Sequence, residues 1–161
     1  MAIGMDMAER KRRLQVVASP ISASVEGAST RKASRPAHDV QTGGRFVSAF
    51  LDERGKVMLD RVARRLDLSK SQLAETVGLT TDVLYRPARM EAPKAQARAS
   101  EMLEIIGRVA EWAGGERHAL AWYRAEPLPS FGGRTAESLV KEGKAAAVRE
   151  YLDRVATGGF A

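Results

Sequence analysis

The sequence predicts an all-α protein: a helix-turn-helix module and then a small helical module, behind an N-terminal arm without regular structure. Three observations carry that expectation. From Arg45 onward, apolar residues recur at one-turn spacing instead of alternating. Ser, Thr, Gly and Pro stand where helices start and stop. Aromatic residues make up only 6% of the chain, which leaves the core to Leu, Val, Ile, Met and Ala, mostly good helix formers. No strand signal and no internal repeat emerges.

Residues 1–44 read as a flexible arm. Ser, Ala, Gly, Thr and Pro dominate from Ser19 to Gly44, and such a segment buries too little apolar surface to offset its ordering entropy. The arm closes on Thr42-Gly43-Gly44. Phe46, Val47, Phe50 and Leu51 then follow at helical spacing. Met58, Leu59, Val62 and Leu66 form a second stripe, with Arg61, Arg64 and Arg65 on the opposite side. Asp67-Leu68-Ser69 interrupts it, and Ser69 is a good N-cap for a helix from Lys70 to Val77. Gly78 stops that helix. Thr80 caps a short one through Arg86, which Pro87 ends, because proline removes a donor and restricts its predecessor. A longer helix from about Lys94 to Trp112 carries Met102, Ile105, Ile106, Val109 and Trp112 on one face. Gly114-Gly115 divides the folded part into units 45–114 and 115–161. A helix from about Glu116 to Arg124 leads into the loop Pro127 to Gly133. Thr135 caps a short helix closed by Gly143. The last helix, about Lys144 to Ala156, places Val148, Tyr151, Leu152 and Val155 on one face and ends at Gly158-Gly159.

Composition narrows the function classes. The 161 residues suffice for one ordinary domain or two small ones. With no cysteine, neither a disulfide framework nor a thiolate metal site can form. The basic cluster Arg10 to Arg13 precedes the apolar Leu14 to Ala18, but that run stops at Ser19-Pro20, short of the roughly 7–15 residues of a secretory signal. No stretch of about 18 apolar residues suggests a membrane span. The cytoplasm is therefore the expected compartment. Net charge is +6, from 26 basic and 20 acidic residues, with no concentrated basic stripe. That balance permits a nucleic-acid partner without demanding one. His38 and His118 lie far apart, without metal-ligand spacing. Glu111, Glu116, Glu126 and Glu137 have no companion motif, so a solvated face explains them. No catalytic constellation appears: the sequence predicts no enzyme, no metal and no cofactor.

The segment Leu68 to Arg86, LSKSQLAETVGLTTDVLYR, is the first informative stretch. Two short helices joined by a Gly-containing turn make a helix-turn-helix. Ala74 supplies the small residue facing the partner helix, Gly78 the corner, and Leu73, Val77, Leu79, Val83 and Leu84 the buried angle. The segment resembles the Cro/C1-like helix-turn-helix of Xre-type regulators. The resemblance implies a recognition helix at Thr81 to Arg86, with Asp82 also facing outward. The DNA-binding candidates are Thr80, Thr81, Tyr85, Arg86 and Arg89. The alternative is a helical hairpin used for packing or dimerisation, since Asp82 opposes phosphate and only Arg86 and Arg89 supply charge nearby.

The last third is the second informative stretch. Its order is Trp122, Pro127-Leu128-Pro129, Phe131-Gly132-Gly133-Arg134-Thr135, Leu139, Gly143, Val148, Leu152 and Gly158-Gly159-Phe160-Ala161. Over residues 115–161 it resembles the toxin-binding domain of the MbcA/ParS/Xre antitoxins; Ala136 stands where that family often has proline, and Ala also suits a first helical turn. The resemblance implies an antitoxin whose partner is a RES-domain toxin that consumes NAD or transfers ADP-ribose from it, with the NAD chemistry belonging to the partner. Arg134, Lys141, Tyr151, Arg154, Gly158, Gly159, Phe160 and Ala161 are the toxin-binding candidates, the last four as a tail whose aromatic ring and terminal carboxylate enter the partner's cleft. Autorepression through promoter DNA is expected, as is a homodimer through Met102, Ile105, Trp112 or their neighbours. The competing function is a stand-alone repressor whose C-terminal module only dimerises it. The Gly-rich turn before Thr135 is read as a tight turn and not a phosphate cradle, because it lacks a preceding strand and the Lys-Ser/Thr ending of a P-loop.

Overall fold

The computed structural model describes residues 42–80, Asp82 and residues 86–158. Expectations for residues 1–41, for Thr81, Val83, Leu84 and Tyr85, and for Gly159, Phe160 and Ala161 lie outside the described residues. The described chain is helical: α1 Thr42–Ser48, α2 Leu59–Arg65, α3 Lys70–Val77, α4 Pro87–Met90, α5 Pro93–Ala113, α6 Glu116–Ala125, α7 Ala136–Lys141 and α8 Ala145–Ala156. The only extended pairings among the described residues are the bridges Leu51–Val57 and Leu128–Arg134. No described helix is long and apolar enough to cross a membrane.

Helix α5 is the pillar. Its buried residues, among them Ala95, Ala99, Met102, Leu103, Ile105, Ile106, Val109 and Ala113, face in several directions because α1, α3, α4, α6, α7 and α8 all pack on it. A helix apolar on so many sides must be covered on so many sides. One consequence corrects the sequence reading. Met102 and Ile105, expected at a dimer surface, are 0% exposed and spent within the chain. Trp112 alone of that trio is half-exposed, packed edge-on against Trp122 at 6.2 Å.

Helix α1 begins at Thr42, so Thr42–Gly44 belong to the fold and not to the arm. Two glycines explain this. A Cβ on Gly107 would lie 2.6 Å from Phe46 Cβ, and one on Gly43 would lie 2.7 Å from the Glu104 carbonyl oxygen. Glycine at both positions lets two helix backbones approach more closely than any side chain would allow. The helix stops at Ser48, earlier than the spacing of Phe50 and Leu51 suggests: Leu51 pairs with Val57, and Phe50 turns inward to 3% exposure against the edge of Phe46.

Local signals set the next elements. Ser69 Oγ accepts from the Gln72 amide at 3.1 Å, and Gln72 Oε1 accepts from the Ser69 amide at 2.8 Å, a reciprocal capping box that starts α3. Gly78 ends α3 at φ 73°, the left-handed corner that glycine adopts without a Cβ penalty. Pro87 opens α4 where the sequence reading has it closing a helix: at the first helical position its missing N–H removes no intrahelical bond. Burial is continuous from Phe50 to Leu152, in one cluster that joins residues on both sides of Gly114-Gly115.

Candidate functional site

The C-terminal helices pack along α5 from its first half onward: Arg98 Nη2 donates to the Lys141 carbonyl at the end of α7 at 2.5 Å. After α6 the chain makes a tight turn: the Leu128 amide donates to the Arg134 carbonyl at 2.9 Å, and Phe131, Gly132, Gly133 and Arg134 all donate backbone N–H groups to carbonyls within the turn. Those donors are consumed internally, as a tight turn requires and a phosphate cradle does not. Thr135 Oγ1 then accepts from the Ser138 amide at 3.2 Å and starts α7. Helix α8 lies along α5 with its charges in step. Arg149 Nε donates to Glu104 at 2.9 Å and its Nη2 stands 3.9 Å from Glu101. One turn further along both helices, Arg108 Nη1 donates to Asp153 at 2.9 Å. Glu104 to Arg108 and Arg149 to Asp153 advance together, so α8 runs parallel to that face of α5.

The toxin-binding candidates occupy different environments. Arg134 forms an ion pair with Glu142, whose other oxygen lies 3.1 Å from Lys144. The hydrogen bond from Arg134, then that from Lys144, hold the Glu142 carboxyl at about 2 and, reciprocally, raise the Arg134 guanidinium. Lys141 Nζ is 2.5 Å from Glu137, which Arg124 reaches at 3.6 Å. Arg134 and Lys141 thus flank the C-terminal end of α7. Arg154 pairs separately with Glu150 at 3.4 Å on α8. Tyr151 needs correction as a contact residue. It is 2% exposed and packs edge-on against Phe131 at 6.1 Å, so its ring is core. Gly158 is exposed, its amide donating to the Val155 carbonyl at 3.2 Å.

Tyr123 and Arg108 are two inward-facing polar residues of this module that the sequence reading did not single out. Tyr123 is 0% exposed and its hydroxyl has no hydrogen-bond partner among the described residues. Burial, with Glu137 and Glu101 adding to it, pushes the phenol far above its ordinary value. Nothing in the sequence separates this tyrosine from the neighbouring Trp122. Arg108 had a usable signal: Glu104 precedes it by four residues, the favourable order for a helical ion pair, found here at 3.2 Å.

In the segment read as a helix-turn-helix, α3 and its Gly78 corner form where expected, while Thr81 and Tyr85 lie outside the described residues. Thr80 Oγ1 donates to the Asp82 carboxylate, and Arg89 Nη1 donates to its other oxygen at 2.7 Å. The Thr80 hydrogen bond, with Arg89 and Arg86 adding charge, holds the Asp82 carboxyl below its ordinary value. Arg89 is therefore already engaged, whereas the exposed Arg86 forms no ion pair among the described residues and acts on Asp82 through its charge alone.

The region from mid-α5 to the end of α8 is a helical module with a common core and a charged rim. Residues 108–158 match a family model described as the antitoxin Xre/MbcA/ParS C-terminal toxin-binding domain. The matched range begins inside α5, ahead of Gly115. The core gives the reason: the apolar faces of α6, α7 and α8 close on α5. The match supports an antitoxin role in a toxin–antitoxin system, with a toxin as partner. Neither the curated proteins nor the solved structures yield a match.

Proposed function

We propose that this chain is a cytoplasmic antitoxin that neutralises a RES-domain toxin by covering the toxin's NAD cleft, without chemistry of its own. The observation that carries this reading is the match of residues 108–158 to the toxin-binding domain, over helices that close on α5. The partner surface is assigned to the outer side of this module: Arg134 and Lys141 beside α7, Arg154 on α8, and the segment Gly158, Gly159, Phe160 and Ala161. Tyr151 supports that surface from beneath. Rim charges of this kind affect association rate and specificity more than affinity, so an aromatic anchor is the larger contributor, and Phe160 is assigned that role. In the same reading residues 68–89 bind the protein's own promoter, and a homodimer supplies two half-sites.

The test is co-expression with the adjacent reading frame, followed by co-purification and an NAD-turnover assay of the released partner. A stable complex that has lost NAD turnover is expected. A partner that stays active in the complex would remove the cleft-blocking mechanism. Absence of any complex would leave the stand-alone repressor as the better reading. Removing residues 158–161 is expected to restore turnover while leaving residual binding through the helices.

A further inference from the structure

The cations of the described residues divide sharply into paired and unpaired. Along the helix-turn-helix edge they are spent: Lys56 on Glu91, Lys70 on Asp60 and Arg89 on Asp82. Around α5 to α8, Arg65, Arg108, Arg117, Arg124, Arg134, Lys141, Lys144, Arg149 and Arg154 likewise face carboxylates. Among the described residues, the exposed arginines that form no ion pair are Arg45, Arg54, Arg61 and Arg64, on α1, the α1–α2 turn and α2, together with Arg86.

Their placement is fixed by contacts. Arg61 Nη1 donates to the Ala49 carbonyl at 3.1 Å, which sets its guanidinium at the C-terminal end of α1. Arg45 lies on α1 four residues before Ala49, about one turn from that end. Arg64 shares the solvent face of α2 with Arg61, one turn on. Arg54 is held in the intervening turn, where Asp52 Oδ1 accepts from both the Arg54 and Lys56 amides at 2.8 Å. The exposed neighbours on α1, α2 and the segment between them are Gly44, Ser48, Ala49, Glu53, Gly55, Asp60 and Arg65, so the fully exposed side chains of this face include no large apolar one.

We infer that the α1–α2 face is a phosphate-backbone contact for duplex DNA, separate from the residues that would read bases. Guanidinium forks match phosphate oxygens, and backbone contacts position a protein on DNA without needing an apolar anchor. A protein-binding hot spot does need one. This inference rests on the DNA-binding part of the proposed function and supplies the charge that the paired Arg89 and Lys70 do not.

The experiment measures binding of the full chain to its own upstream duplex and to a scrambled duplex across a salt series. It compares the wild type, the double variant Arg45→Gln/Arg64→Gln, and Arg86→Ala. Both glutamines replace exposed, unpaired side chains, and thermal melting checks that the fold is unchanged. The expected result is that the double variant weakens both duplexes by the same factor and reduces the salt slope by about two, close to one per phosphate contact. Arg86→Ala instead narrows the gap between the two duplexes. A wild-type slope in the double variant overturns the α1–α2 contact while leaving DNA binding intact. No binding by the wild type overturns both. Loss of toxin capture with DNA binding retained reassigns the face to a protein partner.

Discussion

Tyr123 presents an unusual residue-level balance. A buried hydroxyl without a partner keeps its desolvation cost, about 1–3 kcal/mol, and returns nothing. Tyr123→Phe removes the hydroxyl and keeps the ring packing, so it is expected to leave stability unchanged or raise it by about 1 kcal/mol in chemical denaturation. A marked loss would mean that the hydroxyl is satisfied by a bound water. Glu142 gives a pH-dependent test with a definite sign. Its folded carboxyl lies at about 2, below the ordinary 4.5, so the Arg134 pair contributes fully above that ordinary value and is lost as pH falls through about 2. Carboxyl NMR titration should place Glu142 near 2 in the intact protein and move it up toward its ordinary value in Arg134→Gln. High salt should reduce the difference, because the pair is exposed.

Two elements depend on contacts that can be broken singly. The capping box at Ser69 satisfies two amides, and Ser69→Ala is expected to cost about 1 kcal/mol, within the range for such caps. Helix α1 depends instead on close approach. Gly107→Ala improves helix propensity by up to about 1 kcal/mol, yet it places a methyl where Phe46 stands and forces α1 outward. Overpacking of this kind costs about 1–3 kcal/mol, so a small net loss is expected. Hydrogen exchange is the more telling measurement: amides of α1 should lose protection while those of α6 and α8 keep it. Equal protection of α1 in both proteins would show that the α1–α5 seam is looser than its geometry indicates. The sequence marked α3 clearly, because Ser, Gln and Gly signal a cap and a corner within a few residues. It misplaced the start of α1 at Gly43-Gly44, since glycine reads as a helix breaker until the helix opposite is known.

At the scale of the whole molecule, one core runs through both halves of the chain. Ile105→Ala, at a fully buried position on α5, is expected to cost about 2–5 kcal/mol. The loss should appear in a single unfolding transition, seen alike by Trp fluorescence and far-UV circular dichroism. Two separated transitions would show that Gly114-Gly115 divides the chain energetically. By the same reasoning, a fragment starting at Gly115 lacks α5 and is expected to be largely unfolded.

The sequence by itself determined the helical class, the α3 cap and corner, the span of α5 within a residue at each end, and the Thr135-capped α7. Those features are written in nearest-neighbour chemistry: apolar spacing, a hydroxyl one residue before a helix, a glycine just after it. It also carried the resemblance of the last third to an antitoxin domain, since that rests on the order of such marks along the chain. Only the tertiary structure decided which apolar residues remained available to a partner. Met102, Ile105 and Tyr151 looked like surface anchors in a periodic pattern, but helices distant in sequence cover them. Only the tertiary structure decided, too, which charges were spent. A net charge of +6 carries no address, whereas ion pairing, some of it across 45–51 residues as in Arg65 with Glu116 or Arg108 with Asp153, engages most of the described cations and leaves exposed arginines on α1 and α2. Burial and ion pairing are properties of contacts, and contacts between distant segments exist only once the chain has folded.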